Sequence, residues 1–265
     1  MKIFFSLPSR RAMRMLSVML TLVALVFATS CNKDNDDSNG GTSNTNPPLN
    51  EDSTDQEGDV FSTVILGAQE WMSENLSVAI YRDGTPIPKV TDPIEWASLA
   101  TGAWCWYNND SAAYAATYGR LYNWYAVAGI HNTASLSNTA LRKQLAPTGW
   151  HVPTDDEWTA LTSFLGGEGV AGGKMKTTGT IEAATGLWYS PNIGATDSSG
   201  FSGAPGGGRD DDGDYYVIGG KGFWWSSSGF DAFNAWNRYL VYGNGNAHRD
   251  YDLKQGGFSV RCLRD

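Results

Sequence analysis

Four carboxylates in five positions, Asp210, Asp211, Asp212 and Asp214, interrupted only by Gly213, form the densest group of hard ligands in the chain. Oxygen donors at alternate positions around a glycine turn suit calcium, which takes about 6–8 oxygens. Asp210, Asp212 and Asp214 are therefore the candidate metal ligands and calcium the candidate ion. The plainer alternative is a solvent-exposed hairpin turn. Asp212-Gly213 already favours the bend, Arg209 offsets part of the charge, and the downstream glutamate of a helix-loop-helix calcium site is missing.

A second group is aromatic. Trp224 and Trp225, in "FWWSSS", alternate across a strand, so their rings leave opposite faces. One is expected in the core and the other is a candidate stacking platform for a sugar ring, with Asn234, Trp236, Asn237 and Arg238 close by to add contacts. The alternative is an aromatic core in which loops cover both rings.

Other catalytic patterns fail on spacing. His131, His151 and His248 are isolated, and no Cys or His pair has a zinc-ligand spacing. No Gly-x-Ser-x-Gly elbow supplies a serine nucleophile. Residues 167–172, "GEGVAG", fit Gly-x-Gly-x-x-Gly but follow a helical pattern rather than a strand, which removes the scaffold of a phosphate cradle. The reading is therefore not an enzyme.

The stretch "GWHVPTDDEW" (149–158) reads as architecture. Thr154 and Glu157 make a capping box, and Trp158, Leu161, Phe164 and Leu165 then share one face of a helix of about three turns. Asp155, Asp156 and Glu157 fall in its first turn, where negative charge favours the helix dipole by about 0.3–1 kcal/mol each. Trp150 and Trp158 are expected in the core, and His151 reads as a hydrogen-bonded structural histidine.

The elements that must hold these residues begin after residue 60. Residues 1–30 read as a signal peptide: Lys2, Arg10, Arg11 and Arg14, a mainly apolar run to Ala28, then small residues before Cys31. The run is too short for the roughly 20 residues of a membrane-spanning helix, and its order resembles a bacterial lipobox with Cys31 as the lipidated residue. Residues 31–60 are acidic and polar, with a net charge of −7 out of −9 for the chain, and read as a disordered tether. An acidic run just after such a cysteine resembles the surface-export signal of Bacteroidetes lipoproteins. Nothing offers the basic footprint of a nucleic-acid binder.

Residues 61–265 hold all 11 tryptophans and all 12 tyrosines and read as one α+β domain of short helices, small antiparallel sheets and long ordered loops. Strands are expected at 61–66, 70–72, 215–219, 222–227, 236–242 and 257–263, a hairpin at Asp83-Gly84 and a short helix at 93–100. Cys105 and Cys262 are the thiols left in an exported domain, and a disulfide between them is expected.

The segments "EWMSENL" (70–76), "DGTPIP" (83–88), "CWYNND" (105–110), "YGRLYNWYAV" (118–127), "PTGWHVPTDDEW" (147–158), "GFSGAPGGGR" (200–209), "GFWWSSS" (222–228) and "FSVRCLRD" (258–265) together resemble the Fibrobacter succinogenes major paralogous domain. The resemblance implies a C-type-lectin-like fold, with a more remote likeness to the formylglycine-generating fold. It departs from the family at Ala146, where many relatives have Cys. The calcium-dependent sugar motifs of true C-type lectins are echoed only in part, by Trp236-Asn237-Arg238 and Ser190-Pro191-Asn192. The expected function is a non-catalytic binding or adhesion domain on an outer-membrane lipoprotein, with a glycan or a surface protein as partner and the membrane reached through the lipid alone. A structural subunit of a surface assembly and a formylglycine-generating enzyme are the alternatives.

Overall fold

A computed structural model describes residues 53–265. Cys31 and the signal segment lie outside the described residues. The fold is α+β, with short helices around small antiparallel sheets.

The described part opens on a hairpin of β1 (Ser53–Thr54) and β2 (Val60–Phe61). This corrects the tether, expected to run to residue 60. Asp55 Oδ1 accepts from the backbone N–H of Glu57 and Asp59, and Gln56 Nε2 donates to the carbonyls of Ile80 and Leu145 at 2.9 and 2.8 Å. The segment is fixed by polar contacts, which a composition of acids and small polar residues does not reveal.

Three further sheets follow. One has the order β3 (Thr63–Leu66), β4 (Gln69–Met72), β14 (Leu263–Arg264), β7 (Trp150–His151). Another runs β5 (Trp104–Cys105), β6 (Leu121–Asn123), β13 (Gly257–Phe258), β8 (Gly208–Arg209), β9 (Tyr215–Tyr216). The third pairs the longest strands: β10 (Lys221–Gly229), β11 (Asn234–Val241) and β12 (Ala247–Leu253). The expected strand at 257–263 is thus two strands in different sheets. Between them Arg261, 1 % exposed, donates to the carbonyls of Met72 and Phe201 and to Asn75 Oδ1, and this buried guanidinium pins the crossover.

Six short α-helices connect the sheets among the described residues: α1 (Pro93–Ala97), α2 (Ser111–Tyr118), α3 (Trp124–Val127), α4 (Thr133–Ser137), α5 (Asp155–Phe164) and α6 (Glu168–Met175). The capping box predicted at Thr154 and Glu157 starts α5. Trp158, Leu161 and Leu165 are buried along it, joining Trp71, Phe201 and Trp224 in one core cluster. Phe164 departs from that face and stays exposed, its ring lying over Gly67. One glycine of "GEGVAG" has a packing reason. A Cβ on Gly172 of α6 would sit 2.0 Å from the carbonyl oxygen of Asn246, so only glycine lets the helix meet the start of β12.

Candidate functional site

Strand β10 lies between two cores. Trp224 and Trp225 do leave opposite faces, but both are covered: Trp224 stands against Phe201 and donates from Nε1 to Asn75 Oδ1 at 2.8 Å, and Trp225 stands against Phe258 and donates to the Tyr122 carbonyl at 2.9 Å. Neither ring can serve as a platform. Asn237 and Arg238 are also buried, Asn237 donating to Asp252 Oδ2. Of the six expected ligand contacts, Asn234 and Trp236 remain at the surface, and Asn234 spends its amide on the Asp231 carboxylate in the β10–β11 turn.

The exposed rings sit at the outer end of the same sheet. On β11, Trp236 and Arg238 share a face, and their cross-strand partners on β12 are Tyr251 and Arg249. Phe230, just past β10, stacks on Tyr251 with ring centroids 4.1 Å apart and an interplanar angle of 11°. It meets Trp236 edge-on at 4.8 Å, and Trp236 in turn meets Tyr251 edge-on at 5.9 Å. Phe230 is 44 % exposed, Tyr251 45 %, Phe233 in the turn 72 % and Leu253 39 %, while Trp236 is half-buried. Phe230, Trp236 and Tyr251 pack ring on ring into one partly exposed apolar surface in an otherwise acidic chain.

What fixes this surface is ionic. Asp155, the first residue of α5, accepts from Arg238 Nη1 at 2.6 Å and from Arg249 Nε and Nη2 at 3.0 and 2.7 Å. Arg238 adds bonds to the Asp155 carbonyl and to Thr159 Oγ1. Burial acts to raise the Asp155 pKa, but the hydrogen bonds from Arg249 and Arg238 outweigh it and hold the carboxyl below its ordinary value. The Arg249 guanidinium then lies 3.5 Å from the centre of the Trp236 ring, a cation–π contact that packs the indole from the helix side. The first turn of α5, read from sequence as dipole stabilisation, is thus also the anchor of the sheet.

The remaining expectations resolve locally. Cys105 and Cys262 are free thiols, which corrects the expected disulfide. They belong to different core clusters, Cys105 with Trp96 and Tyr107 and Cys262 with Trp104 and Trp150, and burial pushes both thiols up. The Asp210 loop is a turn. Asp210 Oδ1 accepts from Asp211 N, Asp212 Oδ1 accepts from Asp214 N, and Arg209 binds the Gly213 carbonyl at 2.8 Å. Asp210, Asp212 and Asp214 do not converge, and among the described residues no group of three or more His, Cys, Asp or Glu could hold a metal ion. His151 bridges Asp265 and Glu157 at 2.8 and 3.0 Å, tying the C-terminus to the α5 cap.

Sequence reasoning missed Phe230, Tyr251 and Arg249. The signal for Tyr251 and Arg249 was weak because "AHRDYDL" has no apolar alternation, so β12 went unread as a strand. Phe230 lies outside any strand pattern.

A family model described as the Fibrobacter succinogenes major domain matches residues 64–264. No curated protein and no solved structure matches.

Proposed function

The chain belongs to the Fibrobacter succinogenes major domain family, and from that premise we propose that it is a surface-displayed lipoprotein whose domain is a non-catalytic binding module for glycans, using the Phe230–Trp236–Tyr251 surface. One observation carries this reading: three solvent-reaching rings pack against one another, and one of them, Trp236, is held by Arg249, which Asp155 fixes in turn. A monomeric fold does not ordinarily leave so many large apolar side chains contiguous at its surface unless they meet a partner. Sugar rings present flat apolar faces that stack on aromatic rings, and a rigid platform loses little entropy on binding.

The buried state of both thiols supports binding over formylglycine-type chemistry, which needs an accessible cysteine. Display follows from acylation at Cys31. Mass spectrometry of membrane-derived protein should find acyl chains on that residue, and a Cys31→Ala protein that stays in the membrane would overturn the anchor. A glycan array probed with the full chain and with Tyr251→Ala tests the binding role.

A further inference from the structure

A cavity of about 500 Å³ lies far along the chain from the ring surface, walled by the Asp83 hairpin and by residues 131–144. Its charged lining is Arg82, Asp83, Arg142 and Lys143, with His131 and Asn132 as neutral polar groups and Leu141 as an apolar patch. We propose that this cavity is a second binding site, for the carboxylate of an acidic sugar.

The charges do not cancel. Lys143 pairs with Asp83, the sole acid of the lining, and neutralises it. Arg82 and Arg142 are left without a carboxylate among the described residues. Arg82 is fixed by main-chain carbonyls, Nε on Ala146 at 2.9 Å and Nη2 on Pro147 and Trp150 at 2.7 and 2.5 Å. Arg142 makes long bonds to the carbonyls of Ser135 and Leu136, at 3.3 and 3.4 Å. Carbonyls orient a guanidinium without neutralising it, so both arginines that line the cavity keep an uncompensated positive charge in a chain whose net charge is −9. Nη1 of each arginine has no partner among the described residues, which leaves donors in the planar geometry that suits a carboxylate.

His131 adds an unmatched donor. Asn132 Oδ1 accepts from Ser135 N at 2.9 Å, which fixes the amide so that its Nδ2 faces His131 Nε2 at 2.8 Å. Nε2 is then the acceptor, and the neutral ring carries its proton on Nδ1. That buried nitrogen has no partner among the described residues. The volume suits a ligand of sugar size, since small-molecule sites begin at about 300 Å³, and Leu141 offers contact to its carbon skeleton. This inference goes beyond the ring-surface reading and does not depend on it.

Calorimetric titration of the full chain with sodium glucuronate, inorganic sulfate and glucose at low salt tests it. Glucuronate should bind saturably and glucose should not. Arg142→Gln should weaken glucuronate binding at least tenfold, and Arg142→Lys should restore part of it. Displacement of glucuronate by sulfate would assign the site to the anionic group alone, and failure to displace would assign it to the sugar acid as a whole; both support an anion site. No saturable heat with glucuronate, or undiminished binding by Arg142→Gln, would overturn it. Should Arg142→Gln fail to fold, sodium chloride takes its place, and wild-type affinity that does not fall with salt overturns the proposal.

Discussion

Asp155 and Arg249 are joined through Nε and Nη2, at 3.0 and 2.7 Å from Oδ2, while the buried Arg238 holds Oδ1 of the same carboxylate at 2.6 Å. One carboxylate at a helix start thereby locks two strands of a sheet and, through Arg249, one ring of its exposed surface. The three members are unequal: the Arg238 side chain is 1 % exposed and that of Arg249 38 %.

Asp155→Ala should accordingly cost about 3–5 kcal/mol, because it strands the buried Arg238 charge without a partner. Arg249→Gln should cost no more than about 1 kcal/mol, as expected of a half-exposed pair, and should weaken ligand binding by freeing Trp236. Urea denaturation of the two variants checks the contrast. Equal losses would show that Arg238 is not the residue left unpaired.

The pH dependence of Asp155 has a definite sign. Its folded-state pKa lies below the ordinary 3.8, so the pair's contribution is fully present above that value and is lost as pH falls through the lower folded pKa. Asp252 behaves oppositely. Burial, with Asp250 nearby, raises its pKa to about 6, so its carboxyl favours folding below 3.8 and that contribution is lost as pH rises through 6. Asp252→Asn should therefore raise the melting temperature at pH 7.5 relative to wild type and give no such gain at pH 3.5. A gain of the same size at both values would show that ionisation is not the cause.

The two tryptophans that seemed the natural platform should behave as core. Trp224→Ala and Trp225→Ala should each cost about 3–5 kcal/mol, whereas Tyr251→Ala, at a half-exposed position, should cost far less. Thermal melts of the three variants separate the roles, and a near-neutral Trp225→Ala would contradict the placement of that ring against Phe258.

Cys105 and Cys262, both 0 % exposed, should resist alkylation in the native protein and take up one label each once denatured without reductant. A mass shorter by two labels would restore the disulfide.

Local signals in the sequence were legible where they are chemically self-contained. Thr154 and Glu157 carry a complete helix start in four residues, and the strands 222–227 and 236–242 carry their own apolar content, so α5, β10 and β11 were readable. Non-local chemistry was not. β12 is held by pairing with β11 and by packing on α6, not by its own composition, and the buried sides of Trp224 and Trp225 depend on Phe201, from a loop, and Phe258, from β13. Two strands hidden in 257–263 were unreadable as such because the break is made by Arg261, whose acceptors lie on Met72, Asn75 and Phe201. The site was half legible for the same reason. Trp236 was found from its strand, and its ring partners come from elements that only the fold brings beside it.

The most direct measurement is a glycan-array screen of the full-length wild-type chain beside the double variant Trp236→Ala/Tyr251→Ala, with a melting curve to confirm that the variant is folded. The expected result is one or a few glycans bound by the wild type and lost by at least tenfold in a folded variant. No glycan bound by the wild type, or the same glycans bound equally by the folded variant, would contradict the assignment of the Phe230–Trp236–Tyr251 surface as the binding face.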